Sequence, residues 1–534
     1  MRVSFRPILR QFSQCLLLMA SLVVAPHRVD AAGVTIITHG YAGNVNGWVT
    51  GMADQIANYD AFPGTNFTTY KVEVTRSGGN YLFTTTRVGG GSPVVTDSGE
   101  IIIKLDWSTL AGGFAPDSTY DVGRATALAL MQTNMISELG GRAVGEFPLH
   151  LIGHSRGGSL ICEISRHLGT NGVWVDHLTT LDPHPLNNDG FSDIPITVDA
   201  PARTYQNVLF HDNYWRNLDG SLFVPNGEPV FGAYQRNLGT LPGGYSSPHS
   251  DVHLWYHATI DWRTNASDTE ASITSAEKTS WWTAYETAGT YAGFLYSLVG
   301  GGNRMSQAQP AGQGFGEISD GYNQWWDLGA GVFSNRTALP ANNGNWPNLI
   351  LFGRTQTNQV SQGSFTPVQF YYQWAKADTN LANVSIYLDD DLNPLNTNQT
   401  LLQTLAVPTN GASYVSLITT NITFGATNVP PGVYRLYAKI TGGGRTRYLY
   451  APDKVEVVAS TQPPTLDVAK LSDDRLVIGI NGVMSQTLVL HMSTNLQTWQ
   501  PLATNSLTSS SRWLYTNNPP AGTWQQYFRA TLSP

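Results

Sequence analysis

The chain has two cysteines in 534 residues, Cys15 and Cys162. Two thiols give at most one bridge, so a disulfide scaffold is excluded and stability must come from packed cores. Charge is also scarce: Asp, Glu, Lys and Arg make up 13% of the chain, against about 25% in an average soluble domain. The balance is acidic, with a net charge of −8, which excludes an extended basic face and therefore a nucleic-acid partner. Apolar runs stay short of the roughly 20 residues that a membrane-spanning helix needs. Collagen-like and coiled-coil patterns are absent too. In their place stand 53 Gly, many Asn, Thr and Ser, and 15 Trp, 24 Tyr and 19 Phe. That composition is turn-rich, suits β-structure, and has enough apolar mass for ordered cores. At 58.1 kDa the chain exceeds what one core organises, so several domains are expected.

The first 31 residues read as an export signal. Arg2, Arg6 and Arg10 precede an apolar run from Cys15 to Ala25, and small and polar residues follow to Ala31. A positive n-region, a short h-region and a small-residue cleavage pattern are the layout of a secretory signal peptide. The expected product is secreted, extracellular or at the cell surface, and Cys162 is its single thiol.

Three regions follow. Over residues 32–300, short apolar runs such as Val34 to Thr38, Ile101 to Trp107, Leu149 to Ile152 and Val175 to Leu181 alternate with helical stretches. The helical stretches are expected over Gly47 to Ala57, Tyr120 to Leu139 and Gly157 to Leu168. Such alternation predicts an α/β class with a mostly parallel sheet flanked by helices. Residues 70–99 read as an inserted hairpin. Residues 301–348, rich in Gly, Gln, Asn and Ser, read as a linker or an irregular extension. Residues 349–460 turn to short alternating runs and predict an Ig-like β-sandwich; residues 461–534 predict a small β domain.

Gly153-His154-Ser155-Arg156-Gly157 follows an apolar strand and opens a helix. In that context G-x-S-x-G is the elbow of a serine nucleophile, with small residues where neighbouring chains leave no room for a Cβ. Ser155 is the candidate nucleophile. The N–H of Arg156, next in the chain, and that of Tyr41, in Thr38-His39-Gly40-Tyr41, are the candidate oxyanion donors. A serine needs a histidine base and an orienting acid. Asp182, just past the strand ending at Leu181, is the candidate acid, and Asp212, after the next strand, is its rival. His249, in Ser247-Pro248-His249, is the candidate base, with His253 as the alternative. His249, His253 and His257 at helical spacing also admit a zinc reading, which lacks the H-E-x-x-H glutamate.

On these residues the chain resembles the α/β-hydrolase superfamily, and within it the lipase-like branch related to animal pancreatic lipases and phospholipases. His39-Gly40-Tyr41, Gly153 to Gly157, Leu181-Asp182-Pro183 and Ser247-Pro248-His249 carry the resemblance, over about residues 33–260. The resemblance implies an α/β-hydrolase fold, and it favours Asp182 because that branch carries its acid after the earlier strand. The disulfides and lid cysteines of the animal enzymes are missing.

The later regions offer weaker signals. Asp389-Asp390-Asp391-Leu392-Asn393 has the spacing that begins a calcium loop, but Pro394 stands where glycine is needed. Ser493 to Trp499 and Tyr527 to Ala530 resemble small β-modules of exported bacterial proteins, with polysaccharide or cell-surface contact as their expected use. The expected function is a secreted serine hydrolase, an esterase or lipase, cleaving carboxylic esters of lipid-like substrates with no cofactor and no metal. A serine peptidase or polyester depolymerase, and an inert surface binding protein, are the alternatives.

Overall fold

The computed structural model describes residues 33–58, 67–93, 100–187, 196–216, 227–260, 264–286, 293–294, 336–340 and most of 346–533. The expected signal peptide and most of the expected linker lie outside these residues.

The first region contains β1 (Val34–Thr38), α1 (Trp48–Ala57), β2 (Thr68–Ser77), β3 (Asn80–Gly89), β4 (Ile101–Asp106) and α2 (Thr119–Leu130). It continues with β5 (Leu149–His154), α3 (Arg156–Thr170), β6 (Val175–Leu181), β7 (Val208–Trp215), β8 (Tyr234–Asn237), α4 (Pro248–Ala258) and α5 (Ser275–Glu286). Its eight strands form one sheet in the order β3-β2-β4-β1-β5-β6-β7-β8. β3 runs antiparallel to β2 and every other neighbouring pair is parallel. The central strands are near-continuous apolar runs because both faces are covered. Val34 and Ile36 of β1 join one core with Val72 and Leu105, while Ile37 joins the other with Val49, Met52 and Ile56 of the adjoining helix. Each such side chain, fully buried, contributes about 1.5–3 kcal/mol.

Local signals explain the helix ends. The side chain of Ser118 accepts from Tyr120 N and starts α2. Expected to reach Leu139, α2 instead stops at Leu130, and a short 3-10 turn follows at Ser137–Leu139. Thr133 and Asn134 lie in between, residues that disfavour a helix interior. At α5, Glu277 N donates to Thr274 Oγ1 at 3.2 Å and Thr274 N to Glu277 Oε2 at 2.7 Å, a reciprocal cap.

Residues 348–458 form a five-stranded and a three-stranded sheet over a core that includes Val368, Phe370, Trp374, Ile386 and Ile440. Residues 465–532 form two three-stranded sheets around Ile478, Ile480, Leu488 and Leu490. Trp513, Tyr515 and Phe528 pack against that small core.

These sheets correct the expected fold class. The chain is not α/β: among the described residues strand makes up 42% and helix 16%, with five α-helices, so the molecule is a mostly β protein of several sheets, and the expected α/β-hydrolase fold followed by an Ig-like sandwich does not describe it. The alternation read over residues 32–300 weighted helices too heavily. Among the described residues the links from β6 to β7 and from β7 to β8 hold no helix, and the β2–β3 hairpin and the strands after residue 348, both expected, tip the balance to sheet.

The first two units share a closed seam. Arg447 Nη2 meets Asp176 Oδ2 at 2.5 Å and Nη1 donates to Gly145 O at 3.2 Å, with both side chains buried. Trp174 Nε1 donates to Gln373 Oε1 at 3.1 Å, and the rings of Phe147 and Tyr448 stack at 5.4 Å.

Candidate active site

Parallel pairing sets Thr38 beside Gly153, His154 beside Leu181, and Leu181 beside Tyr214. The carboxyl ends of β1, β5, β6 and β7 therefore make one rim, and the residues that follow each strand meet there.

Ser155 occupies the single position between β5 and α3, with φ 57° and ψ −127°. A side-chain-bearing residue in that region stores about 1–3 kcal/mol of strain. Its surroundings fix it: Ser155 N donates to Leu181 O at 2.9 Å, and its carbonyl accepts from Gly158 N at 2.9 Å and His184 N at 3.1 Å. A Cβ on Gly153 would lie 2.2 Å from Gly157 O, and one on Gly157 would lie 2.5 Å from His39 O. Only glycines allow so tight an elbow. Gly40 faces the nucleophile directly, since a Cβ there would stand 2.6 Å from Ser155 Cβ.

Asp182 follows β6 and also has a positive φ, 46°. His249 sits in the first turn of α4, and its Nδ1 lies 2.5 Å from Asp182 Oδ2. Asp182 Oδ1 accepts from Arg216 N at 2.7 Å. The carbonyl of His249 accepts from His154 Nε2 at 2.9 Å, which ties the base to the residue preceding the nucleophile. His249 Nε2 is buried and has no hydrogen-bond partner among the described residues. No hydrogen bond thus joins it to Ser155 Oγ in this structure; in unliganded sites such bonds are often long and tighten with substrate. Burial pushes the His249 imidazole down to about 3, with the charge of His184 acting in the same direction. Burial pushes the Asp182 carboxyl up to about 7, against the pull of the Arg216 amide and of the charges on His154, Arg216 and His184.

The rival residues lie elsewhere. Asp212 is buried within the sheet, where its carboxylate meets His177 Nε2 at 2.7 Å, Thr179 Oγ1 at 2.6 Å and Tyr214 OH at 2.9 Å. His253 stacks on Trp48 at 4.4 Å and meets His154 edge-on at 4.7 Å. Burial holds it well below the usual histidine range. Among the described residues, His249, His253 and His257 are not gathered as a ligand set; the one such group is Asp389, Asp390 and Asp391. Those carboxylates are engaged by Tyr450, Asn396 and Asn398.

Tyr41 is exposed, and its hydroxyl donates to Gly113 O at 2.8 Å. Arg156 opens α3, where first-turn amides have no intrahelical acceptor and the helix end is electropositive. Sequence reasoning used only the amide of Arg156. Its guanidinium is fully buried, donating from Nε to Asp199 Oδ2 at 2.6 Å, from Nη2 to Asp199 Oδ1 at 2.7 Å and from Nη1 to Ala111 O at 3.0 Å. Asp199 and Arg216 lie outside every local motif, and His154, inside the Gly153 to Gly157 elbow, occupies a position that the motif leaves open. A hint lay in the scarcity of arginine and lysine, 30 in the whole chain.

No family model matches the chain, and no curated protein matches it. Among solved structures, the CARDB domain of the PF1109 protein from Pyrococcus furiosus overlaps 22% of this chain and 97% of its own, at 14% identity and a TM-score of 0.15. Superoxide reductase (neelaredoxin) from Ignicoccus hospitalis overlaps 21% and 80%, at 13% identity and a TM-score of 0.13. Red sea bream transglutaminase overlaps 35% and 27%, at 9% identity and a TM-score of 0.13. Overlaps this slight bear on neither the architecture nor the chemistry of the rim.

Proposed function

We propose that the protein is a serine hydrolase that cleaves carboxylic esters through an acyl-enzyme. The observation that carries this reading is the 2.5 Å pairing of His249 with Asp182 on the rim where Ser155 stands in a strained strand-to-helix turn. An ionised Asp182 accepts only from an N–H, so Nδ1 holds the proton and Nε2 keeps a free lone pair. That lone pair takes the Ser155 proton as Oγ attacks the ester carbonyl. Asp182 stabilises the imidazolium, and the proton then passes to the departing alcohol. The N–H groups of Arg156 and Tyr41 receive the developing oxyanion, each donor worth roughly 3–4 kcal/mol in the transition state. Water repeats the sequence to free the acid. A lipid-like ester and export by the N-terminal segment belong to the same proposal.

A fluorophosphonate probe tests it, because the reagent phosphonylates only an activated serine. The full chain should take one label at Ser155, and Ser155→Ala should take none. An unlabelled wild-type protein would sink the proposal and leave an inert binding protein. Labelling with turnover of amides or solid polyester but not of soluble esters would replace the ester substrate with those.

A further inference from the structure

Arg216 follows β7 and is almost fully buried. Its two halves serve different partners. The main-chain N–H donates to Asp182 Oδ1 at 2.7 Å. The guanidinium donates from Nη1 to Pro248 O at 3.0 Å and to Asp251 Oδ2 at 2.8 Å, and from Nε to Gly239 O at 2.7 Å. Pro248 and Asp251 flank His249 in the first turn of α4. Asp251 is held from its other side, since Oδ1 accepts from Tyr245 N at 2.7 Å.

Resting on the serine-hydrolase reading above, we infer that Arg216 is the positioning residue of the site, a brace that fixes the acid by its backbone and the base by its side chain. The geometry assigns it this work because His249 has few other tethers: Asp182 on Nδ1 and His154 on its carbonyl. Beside the ring contacts of His253 with Trp48 and His154, the guanidinium ties the first turn of α4 and the carbonyl of Gly239 to the end of β7. Asp182, coming from β6, and His249, coming from α4, belong to elements with no sequence proximity. One residue that holds the acid through its amide and the base's turn through its guanidinium removes the relative freedom that would carry Nε2 away from the serine. Displacing a catalytic group by about 1 Å costs on the order of 100-fold in rate.

A buried ion pair kept only for stability makes a different prediction, so the test separates rate from folding. Arg216→Met keeps the hydrogen bond that the main-chain N–H donates to Asp182 Oδ1. Paired with Asp251→Asn, it leaves no carboxylate without a partner. Hydrolysis of p-nitrophenyl butyrate by the full chain should show kcat reduced about 100-fold with KM unchanged. Fluorophosphonate labelling should slow in parallel. The acid limb of kcat/KM should move to higher pH, because Asp182 would lose the nearby cation of Arg216 and keep those of His154 and His184. Arg216→Lys should leave that limb in place, since the charge remains, and still lower kcat, since an ammonium cannot hold three separated acceptors. Asp251→Asn alone, with Arg216 retained, should lower kcat to a smaller extent. Wild-type kcat and an unmoved pH limb in any of these folded variants where a change is expected would overturn the inference. If the wild-type chain itself takes no label at Ser155, it is the underlying reading that fails.

Discussion

Oδ2 of Asp182 and Nδ1 of His249 stand 2.5 Å apart, although 67 positions of chain separate the two residues. A contact so short between a carboxyl and an imidazole fixes both the ring's orientation and its tautomer. Asp182→Asn keeps the shape but offers an N–H or a weaker acceptor, so kcat for a short-chain ester should drop by about 10⁴. Asp212→Asn should leave kcat near wild type while lowering the melting temperature, because its partners are His177, Thr179 and Tyr214. Equal losses of turnover in the two variants would contradict the assignment.

Gly40 is the second test of the rim. A methyl group there would stand 2.6 Å from Ser155 Cβ and 3.1 Å from its Oγ. Gly40→Ala should lower kcat about 100-fold by shifting the hydroxyl. The expected stability cost is only about 1–3 kcal/mol, typical of overpacking. Steady-state kinetics beside a thermal melt reads both.

The seam between the first two units predicts a large stability effect. Arg447→Met strands the buried carboxylate of Asp176, which also accepts from Leu149 N at 2.7 Å. Removing one partner of such a pair costs about 3–5 kcal/mol. Adding Asp176→Asn should recover part of that loss, since the orphaned charge disappears. Urea unfolding of the wild type and the two variants gives the comparison; an Arg447→Met protein as stable as wild type would disprove the burial argument.

His257 gives a pH prediction. Burial lowers its folded-state value to about 4, whereas the unfolded chain titrates it near 6.5. Between those values the unfolded state binds the extra proton, so this group's contribution to stability is fully present above pH 6.5 and is lost as pH falls toward 4. His257→Leu should flatten the pH dependence of unfolding free energy in that window by on the order of 3 kcal/mol in total. Burial also lifts Asp251 to about 6 and Asp389 to about 7, and both oppose the histidines over an overlapping range. The comparison therefore has to be made between variant and wild type across pH 4 to 7.

Some of this was legible in the sequence. Leu149 to Gly158 contains an apolar run, two spaced glycines and a helix-forming stretch, and those suffice to place a strained Ser155 between a strand and a helix. Asp182 and Asp212 were harder to separate, because each follows a short apolar run in the sequence; the structure sets Asp182 past the end of β6 against His249 and Asp212 within β7 against His177. Arg216 was invisible, since its role depends on three acceptors distant in sequence, one in a loop and two in the first turn of α4, and on its own amide. The class of the chain was misjudged for a physical reason. Strand–helix alternation is a strong local signal in the first 300 residues, but the low charge and the abundance of Gly, Asn and Thr across the whole chain already favoured sheets, as did the Tyr- and Val-rich runs after residue 348.

Arg447 also bears on how the gene can be cut. A fragment ending ahead of Asn348 would leave Asp176 without its counter-ion, expose Trp174 and Phe147, and present a sticky apolar flank to solvent. Recombinant work on the rim should therefore retain the chain through Val458, and any swap of appended parts should begin only beyond it.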